Sequence, residues 1–194
     1  MSPLIFRNFL VRRSIFSFSS TPVEIEKLNL IFEAARWAPS SVNSQPWRYI
    51  YTGKEDDRYQ DMFSLLDNGN KIWAQSAPIL ILTLAEVYDH NKKRSNTYAL
   101  HDLGLSTANL LLQASILGLY THPMGGFDHD LAKKLFNISD GFEPGTMIAL
   151  GYAGDPSVLP EDLLKRQLAV RLRKKISEIA FRGGLNTPVS ESGS

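Results

Sequence analysis

The 194-residue chain contains no cysteine. Disulfides, thiolate nucleophiles, iron–sulfur clusters and cysteine-based zinc sites are excluded, and a reducing compartment is compatible, so a cytoplasmic location is expected. Histidine is scarce: four are scattered along the chain, and none forms an H-E-x-x-H or similar metal-binding pair. Neither sign of charge dominates. Lys and Arg number 21 against 20 Asp and Glu, a net +1, so no global field points to nucleic acid. The G-x-G-x-x-G turn of dinucleotide-binding folds does not occur, nor does the G-x-S-x-G elbow of a serine hydrolase. No apolar core precedes a small-residue secretory cleavage site. The most apolar long stretch, Tyr98 to Tyr120, is interrupted by His101, Asp102, Asn109 and Gln113 and reads as a buried helix, not a membrane span.

What remains is an ordinary globular composition, 43% hydrophobic and 21% charged. The length suits one domain over residues 1–194, with 1–10 and 183–194 as terminal arms. The first 23 residues carry Arg7, Arg12 and Arg13 with no acid before Glu24. That composition suits an organellar transit peptide; the alternative is an ordered arm in which Arg12-Arg13-Ser14 binds something. Thr21-Pro22-Val23-Glu24 predicts a capped helix start, and Pro39 its stop. Strands are expected at Trp47–Tyr51, Ala77–Ala85, Tyr120–Met124 and Thr146–Tyr152, and helices at Asp56–Leu66, Asn96–Leu117, His129–Phe136 (capped by Asp128) and Glu161 to about Leu172. Long helices mixed with about four strands predict an α+β fold around a central sheet. The helix Asn96–Leu117, closed by Gly118, is apolar most of the way round, which calls for cover on every side. Gly104 and Ala108, four apart on it, would admit another helix closely.

Three stretches carry candidate chemistry. Lys165 to Arg182 holds seven basic residues against the single acid Glu178. This is either a solvated basic face or, with Arg12 and Arg13, a site for one anion, because the planar guanidinium fork suits phosphate oxygens. A small nucleic-acid binder would want several stacking rings in that patch, and Phe181 alone interrupts it. Ala38 to Trp47 packs two Pro, three Ser, Asn43 and Gln45 into ten residues. It suits either a locally capped turn or an edge-on heterocycle rich in carbonyls and ring nitrogens. Pro123-Met124-Gly125-Gly126 ends a strand, and its glycines serve a plain turn or let a flat ring lie on the backbone. Neighbours on a helix face different ways, so His101-Asp102 is not read as a catalytic dyad.

Taken in order, Arg12-Arg13-Ser14, Pro39-Ser40-Ser41-Val42-Asn43-Ser44-Gln45-Pro46-Trp47, Pro123-Met124-Gly125-Gly126-Phe127-Asp128, Ala149-Leu150-Gly151-Tyr152 and Arg171-Leu172-Arg173 resemble the nitroreductase family of FMN enzymes over roughly residues 8–182. The resemblance implies a central, mainly antiparallel sheet flanked by helices. It also implies a homodimer with FMN at the interface, much of which the long helix would build. Arg12, Arg13 and Ser14 would contact the FMN phosphate, ribityl chain or pyrimidine edge, with Arg171 and Arg173 on the phosphate. Pro39, Ser40, Ser41 and Asn43 would reach the flavin from the other subunit. Asn70 would face the pyrimidine, and Pro123, Met124, Gly125 and Gly126 would back the ring, with the Gly125 N–H on N5. NAD(P)H would donate hydride, and a nitroaromatic, quinone or enone would accept it by a ping-pong route with no side-chain acid or base. A flavin-binding protein without turnover, or a dehalogenating or flavin-fragmenting relative, is the alternative. One departure stands out: the family's further base two residues after Arg-Arg-Ser is here Phe16, with Arg13 or Lys71 as candidate substitutes.

Overall fold

The computed structural model describes residues 5–90 and 93–189. A four-stranded antiparallel sheet forms the centre, in the order β1 (Trp47–Gly53), β2 (Ile79–Glu86), β6 (Phe142–Gly151), β5 (Tyr120–Met124). The two inner strands are apolar on both faces because both faces are covered. The period of two sorts their side chains. Leu80, Leu82, Met147 and Ala149 join one core cluster with Phe16, Phe18, Met62 and Trp73. Ile79, Ile81, Ile148 and Leu150 join the other, with Leu28, Ile31, Leu110 and Ala114.

Helices follow that division. On the second face lie α2 (Ile25–Arg36) and the long α5 (Ala99–Ile116). On the first lie α3 (Tyr59–Ser64), α4 (Asn68–Ala74), α6 (His129–Leu135) and α7 (Glu161–Leu168). A short α1 (Arg7–Val11) falls in the stretch expected as an arm. Between β2 and α5 the chain makes a two-stranded hairpin, β3 (Tyr88–Asp89) with β4 (Arg94–Ser95). No helix among the described residues is long and apolar enough to cross a membrane.

Several expected boundaries move. The first long helix begins at Ile25 rather than at Pro22: the Thr21 hydroxyl pairs with Ser19 Oγ at 2.8 Å, and Glu24 takes the N-cap position. The Tyr152 hydroxyl donates to Glu24 at 2.6 Å and, with Lys27, holds that carboxyl down at about 2. The helix ends at Arg36, before Pro39. The helix expected over Asp56–Leu66 shrinks to α3, and α4, which carries Asn70, had not been anticipated. The last long helix stops at Leu168, so Arg171 and Arg173 lie beyond it. Strands β1 and β6 run longer than expected, and α5 is shorter by a few residues at its start. The Asp128 cap forms as read, its side chain accepting from Leu131 N at 2.9 Å. Gly118 follows α5 with φ of +75°, the left-handed turn that closes a helix.

Candidate functional site: a guanidinium cluster and a strained loop

The loop between α2 and β1 is held in a costly conformation. Val42, Asn43 and Gln45 have φ of +48°, +55° and +48°. Left-handed backbone at non-glycine residues costs about 1–3 kcal/mol each and survives only where surrounding contacts enforce it. The enforcing contact is Asp102, 3% exposed on α5, whose Oδ2 accepts the Ser41 N–H at 2.9 Å. Ser40 Oγ accepts from Gln45 N at 3.0 Å, and Asn96 Nδ2 donates to Ser44 Oγ at 3.3 Å. Pro39 and Asn43 are exposed. His101 reaches Asp102 after all, Nδ1 to Oδ1 at 3.2 Å, although its own side chain is solvent-exposed. The loop and the β3–β4 hairpin enclose a cavity of about 240 Å³.

At the other end of α5, arginines gather. Arg171 donates to the carbonyls of Leu10 and Arg12, and Arg13 to those of Gln167 and Ala169, so two of the four predicted forks tie the N-terminal segment to the C-terminal one. Arg12 is half-buried, and among the described residues Arg173 donates only to the carbonyl of its neighbour Leu172. Burial pushes the Arg12 guanidinium below its usual range, and repulsion from Arg171 and Arg173 pushes it the same way. No ion pair joins any of these arginines to a carboxylate among the described residues. Half-buried Ser14 adjoins them.

The end of β5 supplies backbone. Met124 sends its side chain into the core, leaving only its main chain for a ligand. A Cβ on Gly125 would meet nothing within 4 Å, whereas one on Gly126 would lie 1.8 Å from Asp67 Oδ2. That approach is deliberate: Asp67 N donates to the Gly126 carbonyl at 3.1 Å, and Asn70 Nδ2 donates to the same oxygen at 3.1 Å. Pro123 lines a groove of about 390 Å³ with Leu103, Gly104, Ala108 and Leu111 of α5.

The predicted residues thus form two groups. Ser41 is fastened at Asp102, while Arg12 and Arg13 line a depression with Ser115. The helical rise of 1.5 Å per residue puts those two points of α5 about 20 Å apart. Arg13 is bound to the carbonyls of Gln167 and Ala169, and the cation over the Phe16 ring is Arg166 of α7, 4.8 Å from its centroid. Sequence patterning could not single it out from its basic neighbours.

A profile of the nitroreductase family matches residues 10–152, most of the chain. The chain belongs to the nitroreductase family. Among relatives of this nitroreductase-family protein, an uncharacterized 15.4 kDa protein of Mycolicibacterium smegmatis is 33% identical over 134 residues, 69% of this chain and 88% of that one. A Streptomyces coelicolor protein, provisionally named NADH dehydrogenase/NAD(P)H nitroreductase, is 25% identical over 167 residues, 76% of this chain and 82% of its own. A crystal structure described as an oxidoreductase containing FMN superposes with a TM-score of 0.90 at 32% identity, covering 96% of each chain. A Desulfovibrio desulfuricans nitroreductase-fold protein in complex with FMN gives 0.73 at 19% identity, covering 95% and 99%, and shows the shared fold.

Beside the arginine group sits His122. Its Nδ1 donates to the Ile15 carbonyl at 2.8 Å, and its ring stacks on Trp73 at 4.3 Å. Burial pushes the imidazole below its ordinary 6.5, and Arg166 and Arg12 add to that, against the pull of the Ile15 carbonyl. A depressed folded value means that the unfolded chain binds the proton more readily. The associated stability is full above the ordinary value and is lost as pH falls toward the folded one. Urea midpoints should therefore drop more for the wild type than for His122→Gln between about pH 7.5 and about pH 5. Equal drops would assign the slope elsewhere.

Proposed function

We propose that this protein is an FMN-dependent oxidoreductase, a single nitroreductase-like domain acting as a homodimer with two FMN sites at the subunit interface. The observation that carries the reading is the uncompensated cluster of Arg12, Arg171 and Arg173, whose net charge calls for an anion. The residues fit the cofactor. Arg12 and Arg173 have forks to offer a phosphate, Arg171 fixes the segment that bears Arg12, and Ser14 adds a hydroxyl. Gly125 leaves open space where a flat ring would rest. Asn70, fixed through its Nδ2 to Gly126, keeps its Oδ1 for a pyrimidine edge. The FMN named for the 32%-identical crystal structure supports this choice, and the NAD(P)H named for the Streptomyces relative supports the donor.

Bound FMN would take hydride from NAD(P)H and pass it to an electron-poor acceptor such as a nitroaromatic, quinone or enone. The protein's own work is to bind, orient and exclude. Loop and arginines lie about 20 Å apart along α5, at opposite ends of the helix. A second copy packed on α5 would bring Ser40, Ser41 and Asn43 to the arginine cluster of the partner subunit. The 390 Å³ groove beside Gly104 and Ala108 is the place for it. His101 and His122 have structural tasks, so no side-chain acid or base is assigned, and a cytoplasmic location fits the cysteine-free chain.

The visible spectrum of the purified protein tests the cofactor: flavin bands near one per subunit are expected, and their absence after FMN reconstitution would refute it. One ring face holds one planar partner at a time, so initial rates should give parallel double-reciprocal lines; intersecting lines would require a ternary complex. Arg173→Ala should weaken FMN binding by about 1.5–3 kcal/mol, ten- to a hundredfold, because a charge-assisted bond is lost. Riboflavin, which has no phosphate, should bind the variant as it binds the wild type. Equal weakening for both ligands would take Arg173 off the phosphate.

A further inference from the structure

Five arginines meet where the N-terminal segment joins the C-terminal one, and four have been given tasks. Arg13 and Arg171 are bound to main-chain carbonyls, and Arg12 and Arg173 are assigned to the phosphate. The fifth, Arg166, lies on the exposed side of α7, where an arginine ordinarily swings freely. It does not: its guanidinium stacks 4.8 Å from the centroid of the Phe16 ring. Phe16 is itself 7% exposed and is fixed edge-on against Trp73 at 5.4 Å and against His122 at 4.8 Å. The ring quadrupole therefore holds the cation over an immobile base. Among the described residues, Arg166 has no carboxylate partner.

Its position along the site follows from those contacts. Phe16 stands two residues after Ser14, and His122 immediately precedes Pro123. Since Phe16 and His122 touch, Arg166 sits at the seam between the anion-binding segment and the strand end that would back the ring. A cation held there is matched to a charge on the ring system more than to one on the phosphate. Flavin chemistry creates such a charge. Hydride brings two electrons and one proton to N5, its donor leaves oxidised, and the ring, neutral before, then carries one negative charge spread over N1 and O2. A preplaced cation stabilises that charge without reorganising.

We infer that Arg166, stacked on Phe16, is the cation that stabilises the reduced form of bound FMN. This rests on the FMN reading above. The test compares wild type, Arg166→Gln and Arg166→Lys in three measurements: oxidised FMN affinity, reduced FMN affinity and the midpoint potential of the bound flavin. Arg166→Gln should bind oxidised FMN within about threefold of the wild type and reduced FMN about tenfold more weakly. The two-electron potential then falls by about 30 mV for that tenfold. Arg166→Lys should recover part of the loss. Riboflavin should show the same shift as FMN, since the phosphate is not involved. Phe16→Leu, which keeps the charge but removes its platform, should lower the potential by less than Arg166→Gln. Equal weakening of both redox forms, or an unmoved potential, would overturn the assignment while leaving the FMN reading intact. A wild-type protein that binds no flavin would overturn that reading itself.

Discussion

Gly104→Leu is expected to give a folded chain that neither dimerises nor retains FMN. Gly104 is exposed on α5, and a Cβ there would meet nothing within 4 Å of its own chain. Leucine is also the better helix former by about 0.8–1 kcal/mol, so the isolated subunit loses nothing. The new side chain instead fills the groove it shares with Leu103, Ala108 and Leu111, where the backbone of a second copy would approach in the proposed dimer. A charge at Leu111 or Leu112 would be a less clean probe, because both are half-buried and the core would suffer too. Sedimentation at micromolar concentration reads the assembly, circular dichroism the fold and visible absorbance the flavin. A flavin-loaded dimer of Gly104→Leu would remove α5 from the interface.

Asp102→Leu should weaken FMN binding more than a hundredfold while the arginine cluster stays in place. The carboxylate is buried and accepts the Ser41 N–H at 2.9 Å, which pins a loop with three left-handed residues. Freed of that bond, the loop relaxes, and binding must rebuild a strain of about 1–3 kcal/mol per residue, roughly 3 kcal/mol or more in all. Asp102→Asn retains an oxygen acceptor and should stay much closer to the wild type. Titrating both variants with FMN and riboflavin separates loop from phosphate, since losing the loop penalises both ligands alike. Tight binding by Asp102→Leu would show that the loop does not contact the flavin.

How far the sequence reached depends on how far apart the interacting groups lie. The alternation that sends Leu80 and Leu82 one way and Ile79 and Ile81 the other is written in consecutive residues. The Asp128 cap is equally local: its bond runs three residues along the chain. Gly118 at the end of α5 and the three segments of the candidate site were legible for the same reason. The helix start at Thr21 was misplaced because a hydroxyl two residues back and a tyrosine far along the chain took the groups that a local cap would have used.

Residue type by itself determined that this chain has no thiol chemistry, carries arginine forks at both ends and places a polar, proline-bounded loop before a strand. Only the tertiary structure decided which forks are free. Arg13 and Arg171 are spent on carbonyls more than 150 residues away, a pairing that no local pattern encodes. Only it, likewise, placed Arg166 over Phe16 and set the loop and the arginines at opposite ends of one helix. Helix caps and strand alternation are settled by neighbours within a turn or two. The occupancy of a long, charged side chain is settled by whichever acceptor folding brings within about 3 Å of it.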